Sequence, residues 1–485
     1  MSLALRLVRA LWIFGLIFWS YMSQLALTQL LGEVVRDASG RDAVRVPAWV
    51  RARRQRIDER NARRLYRGMV SLRGVFIKLG QILSITGGFL PRVYMKELEK
   101  LQDKVPPRAF TDIREVFIVS LGRTPEECFA KIDAAPLAAA SLGQVHVAWM
   151  HPEPNEEEGR KVAVKVLYPG IRDVIAVDMR VIRLAVEVYK WFVPVHGLER
   201  VHDALNDLLR RETNYLHEAE SMERMAANFT QDKDILFPEV VHALTTRDVL
   251  TMTFMEGVKI NQLDQLRAQG IDPTAVGTRL IEATYKMIFV DRFFHADPHP
   301  GNFLVQPGRT PRRPKLVVLD FGAVSEVRDE LVDGMIEVIG GLLESDGARL
   351  LRGFYRMGFA SRDANHELLE KTVYTYFEKL LRVKQRTPGA LLRANVKELE
   401  SLVDPEVARD ELRELMRSVE YPEGWFYVER AAVLAFWLVG QIDPEIDAMQ
   451  VGYPYVMPLL TEKRRRDAET AAAAADATEP AAEQG

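Results

Sequence analysis

The pattern of apolar and polar positions divides the first part of the chain into a helical stretch and a β-rich stretch. Apolar residues recur at helical spacing over 74–85 and 91–102, and a capping-box pattern at 124–127 indicates a further short helix. Apolar and polar residues then alternate over 143–149 and 161–167, which is typical of strands. The polar residues between these two runs predict a β-hairpin with a long loop.

Helical patterns dominate the rest of the chain. Long helices are predicted over 171–192 and 201–228. A second hairpin is predicted over 239–255, with its first strand at 239–244. The later residues are mostly helical apart from a loop–strand unit around 295–324. A small β-rich lobe followed by a larger helical lobe is an α+β arrangement, in which a cleft between lobes is the usual ligand site.

The N-terminus contains an apolar segment. The residues from Leu11 to Gly32 carry no charged side chain. As a helix rising about 1.5 Å per residue, this stretch would just cross a hydrocarbon core of ~30 Å. Its second half is rich in Ser, Gln and Thr, which fits a helix lying in the membrane interface equally well. Two other interpretations are open: an amphipathic helix on the protein's own core, and a cleaved signal peptide that starts with Arg6 and Arg9.

Charge is unevenly distributed after this segment. Eleven arginines and three acids fall between Arg41 and Arg73, although the whole chain has a formal net charge of −3. The positive-inside rule would keep the residues after Gly32 on the cytoplasmic face of a membrane. The net charge gives no reason to expect a nucleic-acid partner. Cys128 is the only cysteine, so no internal disulfide forms and a reducing cytoplasm fits.

The residues most typical of phosphoryl transfer lie in 295–302 and 317–322. Asp297 and Asn302 have the Asp-x-x-x-x-Asn spacing of a protein-kinase catalytic loop, and Asp320 follows an apolar strand in Asp-Phe-Gly. Phosphoryl transfer needs a carboxylate near the acceptor and oxygen ligands for magnesium at the phosphates. We therefore predict that Asp297 is a catalytic base or water-orienting group, and that Asn302 and Asp320 are metal ligands.

Two other interpretations of residues 295–302 are open. His295, Asp297 and His299 are suitable ligands for a transition metal, although Pro298 and Pro300 exclude a helical arrangement of the histidines. Alternatively, Asp297 caps backbone amides in a turn and has no part in chemistry.

A candidate catalytic lysine lies in the second strand of the first hairpin. Lys165 ends the run Val-Ala-Val-Lys, which matches the strand lysine that pairs with the α- and β-phosphates in kinases. Alternation places it on the strand face opposite Val162, Val164 and Val166, and an ordinary lysine on an exposed strand face is the alternative. A buried lysine would need a carboxylate partner, because an unpaired buried charge is costly. Glu212 and Glu218 are the candidates.

Residues 136–145 take the place of a glycine-rich phosphate loop. Their small side chains let the backbone approach phosphates, but alanine restricts the positive φ that glycine would allow. Nucleotide geometry should therefore differ from that of a standard protein kinase, unless the alanine run serves only tight packing. The predicted nucleotide-binding residues in this region and the adjoining strands and helix are Ala138, Ala139, Ala140, Ser141, Gly143, Gln144, Lys165, Glu218 and Met255.

Four motifs, in order, resemble those of the UbiB/AarF/ADCK family of atypical kinases, over roughly residues 70–330. The Lys-x-Gly-Gln motif of that family lies at 78–81, and the acidic pattern that follows it lies at 97–103 with two prolines after it. The alanine-rich loop lies at 138–146, and the catalytic signature His-Ala-Asp-Pro-His-Pro-Gly-Asn lies at 295–302.

The resemblance implies a protein-kinase-like two-lobe fold with an N-terminal helical extension over the active site. Lys78 and Gln81 would then lie near the nucleotide, and the extension would obstruct a peptide acceptor. Protein phosphorylation becomes the less favoured activity. Family members are tied to quinone and isoprenoid-lipid metabolism at membranes, where ATP binding or hydrolysis assists lipid handling or biosynthetic complexes. The apolar N-terminus agrees with that setting.

The chain departs from the family pattern at two places. The acidic pair Glu-x-Asp reads Glu212-Thr-Asn214 here, and Asn214 carries no charge, although Glu218 follows as in the family. After Lys-x-Gly-Gln, the usual Arg and Asp are replaced by residues 84–88. We expect contacts to magnesium or to Lys78 to differ at the first place, and substrate contacts to differ at the second.

The sequence thus predicts an ATP- and Mg²⁺-dependent atypical kinase or ATPase that acts on a lipid or quinone precursor at the cytoplasmic face of a membrane. A nucleotide-gated lipid or protein binding module without essential turnover and a conventional Ser/Thr protein kinase are the alternatives. At 485 residues and 48% apolar content, two or three packed units are expected. The predicted domains are an apolar membrane-associating segment 1–35, a basic stretch and helical extension 36–132, a nucleotide-binding N-lobe 133–257, a catalytic helical C-lobe 258–462 and a disordered Ala/Glu tail 463–485.

Overall fold

The structure is a computed structural model. It describes residues 3–36, 42–85, 92–102, 107–154, 156–190, 198–360, 365–371, 373–374, 419–420 and 422–478. The chain forms two compact units. The first comprises residues 1–230, 236–256 and 318–323, and the second comprises 231–235, 257–317 and 324–485. Helices and antiparallel strands are both present, which confirms the predicted α+β class.

Helices make up most of the described chain. They are α1 Leu3–Leu31, α2 Ala48–Leu72, α3 Val75–Ile85, α4 Arg92–Leu98, α5 Phe110–Leu121, α6 Pro125–Cys128, α7 Ile171–Lys190, α8 Leu198–Glu212, α9 Tyr215–Asn228, α10 Leu263–Ala268, α11 Pro273–Tyr285, α12 Asp329–Glu344, α13 Gly347–Met357, α14 Trp425–Ile442 and α15 Ala448–Thr478. Short 3-10 helices cover Glu99–Gln102, His242–Leu244 and Pro300–Asn302, and a π-helical turn covers Lys286–Val290.

The strands are shorter and all pair antiparallel where their register is given. They are β1 Glu33–Arg36, β2 Asp42–Arg45, β3 Lys131–Ile132, β4 Ala138–Ala139, β5 Gly143–Trp149, β6 Lys161–Leu167, β7 Ile235–Leu236, β8 Val249–Thr253, β9 Val258–Lys259, β10 Phe293–His295, β11 Phe303–Gln306, β12 Lys315–Val318 and β13 Val324–Glu326.

A five-stranded sheet forms the centre of the first unit. Its strands lie in the order β3-β5-β6-β8, and β4 also pairs with β5. β5 and β6 pair from Gly143 opposite Leu167 to Trp149 opposite Lys161, which confirms the first predicted hairpin. The three valines of β6 are fully buried, as the alternation along that strand predicts.

The second predicted hairpin forms only in part. The N–H of Val241 donates to the carbonyl of Thr251 over 2.8 Å, and the N–H of Thr253 donates to the carbonyl of Glu239 over 2.9 Å, so the start of the predicted first strand does lie antiparallel to β8. Residues 239–244 contain a 3-10 turn, and Val240 forms an isolated bridge with Met252. The hydroxyl of Thr245 donates to the carbonyl of Val241 over 2.9 Å, which favours a local turn over a strand ladder. On its other side, β8 pairs along its length with β6.

The single helix predicted over 201–228 is two helices, α8 and α9. The hydroxyl of Thr213 donates to the carbonyl of Leu209 over 2.7 Å, and Asn214 is extended, with φ −133° and ψ 90°. Local side-chain bonds of this kind compete with a continuous helix. As a result, Glu212 ends α8, whereas Glu218 lies in the first turn of α9.

The first two helices pack along each other through polar residues. The amide of Asn61 donates to the hydroxyl of Ser20 over 2.6 Å, and the amide of Gln24 donates to the carbonyl of Val50 over 3.0 Å. The polar half of α1 that the sequence shows therefore faces α2.

Arg6 attaches the start of α1 to the first unit. Its side chain is buried, and its Nε donates to Oδ1 of Asp178 in α7 over 2.7 Å. It also bonds the carbonyls of Leu72 and Arg73 at the end of α2. α1 is long and apolar enough to cross a membrane, and only 11% of its most apolar 18-residue stretch is buried in the protein.

The second unit contains two small sheets and the later helices. β7, β12, β11 and β9 form one sheet, and β10 pairs with β13 in the other. Gly257 leads into β9 with a φ of +151°, and a Cβ there would lie 2.9 Å from that of Leu304, so the position requires glycine. α14 packs against α11 at Gly277, where a Cβ would lie 3.5 Å from Cγ2 of Ile442.

The end of the described chain is helical. α15 continues through 463–478, where the sequence analysis predicts a disordered tail. Alanine is the strongest helix former, and the ammonium of Lys463 lies 2.8 Å from the carboxylate of Glu337 in α12. These two features account for the helix, and residues 479–485 lie outside the described residues.

Candidate functional site

The centre of the candidate site in the first unit is a lysine bonded to two carboxylates. Lys165 lies on β6 opposite Val145 of β5 and Leu250 of β8. Its ammonium donates to Oε1 of Glu218 and lies 3.1 Å from Oδ2 of Asp320. The side chain of Lys165 is 12% exposed and that of Glu218 is 1% exposed, so this is a buried ion pair rather than a surface contact.

Glu218 joins the lysine strand to the Asp-Phe-Gly segment. The same Oε1 that accepts from Lys165 also accepts from the backbone N–H of Phe321 over 3.2 Å. One carboxylate on α9 therefore positions both the lysine and the residue after Asp320. Of the two acids predicted as partners for the lysine, Glu218 is the one bonded to it.

Burial and charge act in opposite directions on the pKa values of this pair. Burial alone would lower the pKa of Lys165, but the carboxylates of Asp320 and Glu218 more than offset it and raise the pKa, so the ammonium stays charged. Burial raises the pKa of Glu218 to about 7, against the opposing effect of Lys165. Glu218 is thus a carboxyl group that titrates near neutrality.

Asp320 is the most accessible member of the cluster. Its side chain is 38% exposed, and Oδ1 accepts from the backbone N–H of Gly322 over 3.0 Å. A Cβ at position 322 would lie 3.4 Å from that oxygen and 3.4 Å from Cγ of Glu212. The glycine therefore lets α8 approach the aspartate closely.

A second lysine–carboxylate pair lies beside the first. The ammonium of Lys78 in α3 lies 2.6 Å from Oε1 of Glu212, and both side chains are largely buried. The contact of Lys78 therefore goes to Glu212 and not to Asn214. The Oδ1 atom of Asn214 is buried and has no hydrogen-bond partner among the described residues.

The alanine-rich segment forms a tight turn between β4 and β5. Ala138 pairs with Val145, and the N–H of Ala140 donates to the carbonyl of Gly143 over 2.8 Å. None of the alanines has a positive φ, so the turn forms within the conformations that alanine permits. Ser141 is half-buried within this turn.

Gln144 and Met255, which are both predicted to bind nucleotide, have other or less specific surroundings. The amide of Gln144 is buried and bonds the backbone of Arg108 and the ring of His146, so its polar atoms are already used within the first unit. Met255 follows β8 and is half-buried. Gln81 lies in α3.

In the second unit, Asp297 and Asn302 lie in one self-bonded loop. The side-chain N–H of Asn302 donates to the carbonyl of Asp297 over 2.9 Å, and the N–H of Asp297 donates to Nδ1 of His295 over 3.0 Å. His299 caps the 3-10 turn by accepting from the N–H of Gly301. The two residues of the predicted catalytic motif are thus fixed relative to each other by the backbone between them.

A buried arginine that the sequence analysis does not single out contacts Asp297. Nη2 of Arg430 in α14 lies 2.8 Å from Oδ2 of Asp297, and Arg430 is 4% exposed. Its Nε and Nη1 have no hydrogen-bond partner among the described residues. The sequence shows only that Arg430 directly precedes an apolar helical run, where a buried arginine would need a partner, and it does not show which residue that partner is.

Asn302 of the second unit and Asp320 of the first unit each carry oxygen atoms of the kind that a hard cation binds. The amide nitrogen of Asn302 donates to the carbonyl of Asp297, which leaves its oxygen outside this bond, and Asp320 has an accessible carboxylate. Magnesium prefers such oxygen donors and needs only one or two carboxylates from the protein. The described residues contain no group of three or more His, Cys, Asp and Glu that could hold a metal ion, which counts against the transition-metal interpretation of His295, Asp297 and His299.

Comparison with known proteins finds one matching family model and several similar proteins. A family model described as the ABC1 atypical kinase-like domain matches residues 100–353. Protein ACTIVITY OF BC1 COMPLEX KINASE 8, chloroplastic, of Arabidopsis thaliana is 28% identical over 420 residues, which cover 82% of this chain and 54% of the plant protein. The probable serine/threonine-protein kinase abkD of Dictyostelium discoideum is 33% identical over 258 residues, which cover 53% of this chain and 36% of that protein. The chain thus spans about half, or less, of the length of these two relatives.

A solved structure from Mycobacterium tuberculosis, that of Rv3197 in complex with erythromycin, is also similar to this chain. It has 24% sequence identity and a TM-score of 0.47, and the match covers 81% of this chain and 98% of the other.

Proposed function

Because the chain belongs to the UbiB/ABC1 family of atypical kinase-like proteins, we propose that it is an Mg-ATP-dependent kinase or ATPase. The family and the kinase names of its relatives support a kinase-like phosphotransferase. The finer proposal is that the chain uses ATP to support quinone or isoprenoid-lipid metabolism at a membrane, with a lipid or quinone precursor as its partner.

The observation that carries the proposal is the cluster in which the buried side chains of Lys165 and Glu218 meet the more exposed carboxylate of Asp320. In this proposal Lys165 binds the α- and β-phosphates, and Glu218 holds its ammonium in place. Asp320 and Asn302 would hold the magnesium ion, which when bound supplies positive charge to the β- and γ-phosphates. Asp297 would accept a proton from the acceptor hydroxyl or orient an attacking water.

The membrane part of the proposal is supported by the family resemblance and by α1. The apolar side chains of that helix include Trp12 and Trp19, which are 67% and 72% exposed. Exposed apolar surface of this extent is typical of a site for another protein or for lipid.

Phosphate release from ATP, with and without liposomes, tests the enzymatic part. Lys165→Met and Asp320→Asn should each lower the rate by about 100-fold or more, because electrostatic stabilisation of the phosphates is lost. Lys161→Met is the matched control, because Lys161 lies on the same strand four residues earlier and contacts the rings of Trp149 and Phe254. If both site variants kept the wild-type rate, the proposal would be wrong.

The contact of Asp297 with Arg430 favours a second candidate, a nucleotide-gated binding module without essential turnover. A carboxylate that is already ion-paired is a weaker base, whereas ATP binding at Lys165 does not depend on it. In a strain that lacks the gene, an Asp297→Asn variant should restore function under this candidate and fail to do so if turnover is required.

A conventional Ser/Thr protein kinase is the least favoured candidate. α3 is tied to Glu212, whose side chain lies against Gly322 of the Asp-Phe-Gly segment, so a helix of the extension sits beside the proposed phosphate site. Transfer of labelled phosphate from ATP to a protein substrate in trans would restore this candidate.

A further inference from the structure

A groove with one cationic and one apolar wall runs between α1 and α2. Its volume is about 640 Å³, and both helices belong to the first unit. The cationic wall consists of five arginines of α2, which are Arg56, Arg60, Arg63, Arg64 and Arg67. The apolar wall consists of Trp12, Ile13 and Leu16 of α1, with Arg9 at its end.

Helical geometry explains both walls. The five arginines are separated by steps of three, four and one residues, which places them along one face of α2. The residues of α1 that line the groove are separated by steps of three and one residues, so they also lie along one face of their helix. Gly68 lets the helices approach at the bottom of the groove, because a Cβ there would lie 3.0 Å from Cδ1 of Ile13.

Few acids compensate the positive charge of the groove in the described part of the chain. Among the described residues, Glu59 is the one acid that lines the groove, and its carboxylate lies 3.9 Å from Arg63, with side chains that are 41% and 60% exposed. In the part of the chain that the structure describes, no carboxylate lies within 4 Å of Arg9, Arg60 or Arg67. Like charges three and four residues apart on a helix repel each other, so the groove favours an anion.

The apolar wall continues into the outward face of α1. Val8, Trp12, Trp19 and Leu30 are 63%, 67%, 72% and 79% exposed. A face that extends along a helix of 29 residues is far longer than one small molecule, whereas a bilayer surface would cover all of it. Tryptophan is also enriched at the boundary between lipid and water.

The packing of α1 decides between the two membrane geometries that its length allows. Its polar side faces α2, and Arg6 fixes its start to Asp178 of α7. If α1 crossed a bilayer in this arrangement, the arginines of α2 beside it would lie in hydrocarbon at a high energetic cost. A helix lying in the interface instead places these arginines at the level of lipid phosphates.

We propose that the α1–α2 groove binds the phosphate headgroups of anionic phospholipids while the outward face of α1 lies in the interface of the bilayer. The ligand is a negatively charged phosphodiester with acyl chains attached. The arginines contact the phosphate, and Trp12 and Leu16 contact the first part of the chains. This proposal deepens the membrane part of the proposed function and rests on that part alone, because no residue of the groove belongs to the lysine–carboxylate cluster.

Flotation of the full chain with vesicles tests the proposal. Vesicles of phosphatidylcholine with phosphatidylglycerol should bind the protein, and vesicles of phosphatidylcholine alone should bind it much more weakly. The triple variant Arg56→Glu, Arg60→Glu, Arg63→Glu should bind the anionic vesicles about 100-fold more weakly, since each basic residue near such a surface contributes about 1 kcal/mol.

A matched triple variant separates the groove from general electrostatics. Arg309, Arg312 and Arg313 are exposed in the second unit, and their change to Glu alters the net charge by the same amount. This variant should keep wild-type binding. An equal loss in both triple variants would overturn the proposal, because it would mean that overall charge and not the groove controls binding.

Two further measurements identify the ligand. Inorganic phosphate should not release the protein from anionic vesicles when enough vesicles are present to bind all of the protein. Release by phosphate would show that the groove binds a soluble anion and not a phospholipid headgroup. The double variant Trp12→Ser, Trp19→Ser should bind both kinds of vesicle more weakly, and unchanged binding would contradict the interfacial placement of α1. All these substitutions are at exposed positions, so unchanged thermal unfolding checks that each variant is folded.

Discussion

Nη2 of Arg430 lies 2.8 Å from Oδ2 of Asp297, so a buried residue of α14 positions the carboxylate of the candidate catalytic loop. The two residues are far apart in sequence, and both belong to the second unit. Arg430 contacts the carboxylate directly, and in the proposed function it acts as a positioning residue.

Substitution of Arg430 should therefore affect turnover more than nucleotide binding. Arg430→Ala leaves the carboxylate of Asp297 free to rotate, and we expect kcat for ATP to fall by about 100-fold. The KM for ATP should stay near the wild-type value, because Lys165 is unchanged. Steady-state phosphate release measures both constants.

The control for this variant is Arg430→Lys, which keeps one positive charge and should recover part of kcat. A rise in KM with unchanged kcat in Arg430→Ala would show that the arginine binds nucleotide and does not position Asp297.

Glu218 should make stability depend on pH in a defined direction. Its pKa in the folded chain is about 7, against an ordinary value of 4.5, so between these values the folded chain holds a proton that the unfolded chain has lost. Raising the pH through this window therefore lowers the free energy of unfolding that this group contributes. A Glu218→Gln variant lacks the effect and should gain stability relative to wild type as the pH rises.

Thermal unfolding of wild type and Glu218→Gln, followed from about pH 5 to about pH 8, measures that difference. Glu220→Gln is the control, because Glu220 lies on the same helix and is exposed. If wild type instead gained stability relative to Glu218→Gln over this range, the attraction of Lys165 would outweigh the effect of burial. The predicted upward shift in the pKa of Glu218 would then be wrong.

The pair of Lys78 and Glu212 should show energetic coupling. Lys78→Glu places two carboxylates at a contact where the charged atoms are now 2.6 Å apart, and it should destabilise the protein. The double variant Lys78→Glu, Glu212→Lys restores opposite charges, and we expect a coupling free energy of about 0.5–3 kcal/mol. Denaturant unfolding of the four proteins gives this value.

Lys100 offers a matched control, because it forms an exposed ion pair with Glu97. Lys100→Glu should change stability by less than about 1 kcal/mol. If the coupling free energy of Lys78 and Glu212 were no larger than the stability change in Lys100→Glu, the buried pair would not hold α3 in place.

Arg6 should contribute strongly to the attachment of α1. Arg6→Ala leaves the carboxylate of Asp178 buried without its partner, and loss of one member of a buried ion pair costs about 3–5 kcal/mol. Burial already raises the pKa of Asp178, with Arg6 opposing that rise, so the variant should be less destabilised at acidic pH, where the carboxyl is protonated.

Arg9→Ala is the comparison for Arg6→Ala, since Arg9 is exposed on the same helix. It should leave the unfolding temperature unchanged. Equal unfolding temperatures for wild type and Arg6→Ala would show that α1 contributes nothing to the stability of the first unit.

Local patterns in the sequence predict part of this fold correctly. Alternation identified β5 and β6, because a strand with one buried face must alternate, and it placed Lys165 opposite the valines. The need of a buried lysine for a carboxylate then reduced its partners to Glu212 and Glu218. These inferences depend on periodicity and charge, which a single sequence contains.

The rest depends on contacts between distant segments or on competition between local bonds. Nothing near Asp297 in sequence indicates Arg430, and nothing near Lys78 chooses Glu212 over Asn214. The break between α8 and α9 lies at Asn214, whose extended backbone a helical pattern does not reveal. The domain limits and the roles of the site residues stay predictions.

That break has a consequence for how the two lysines are supplied with partners. In one straight helix, residues six positions apart point about 120° away from each other, so Glu212 and Glu218 would face different directions. Interruption at Thr213 and Asn214 frees each acid to follow its own helix axis. A substitution at this break that produced one straight helix would therefore separate one of the two lysines from its carboxylate, even though no charged residue had been changed.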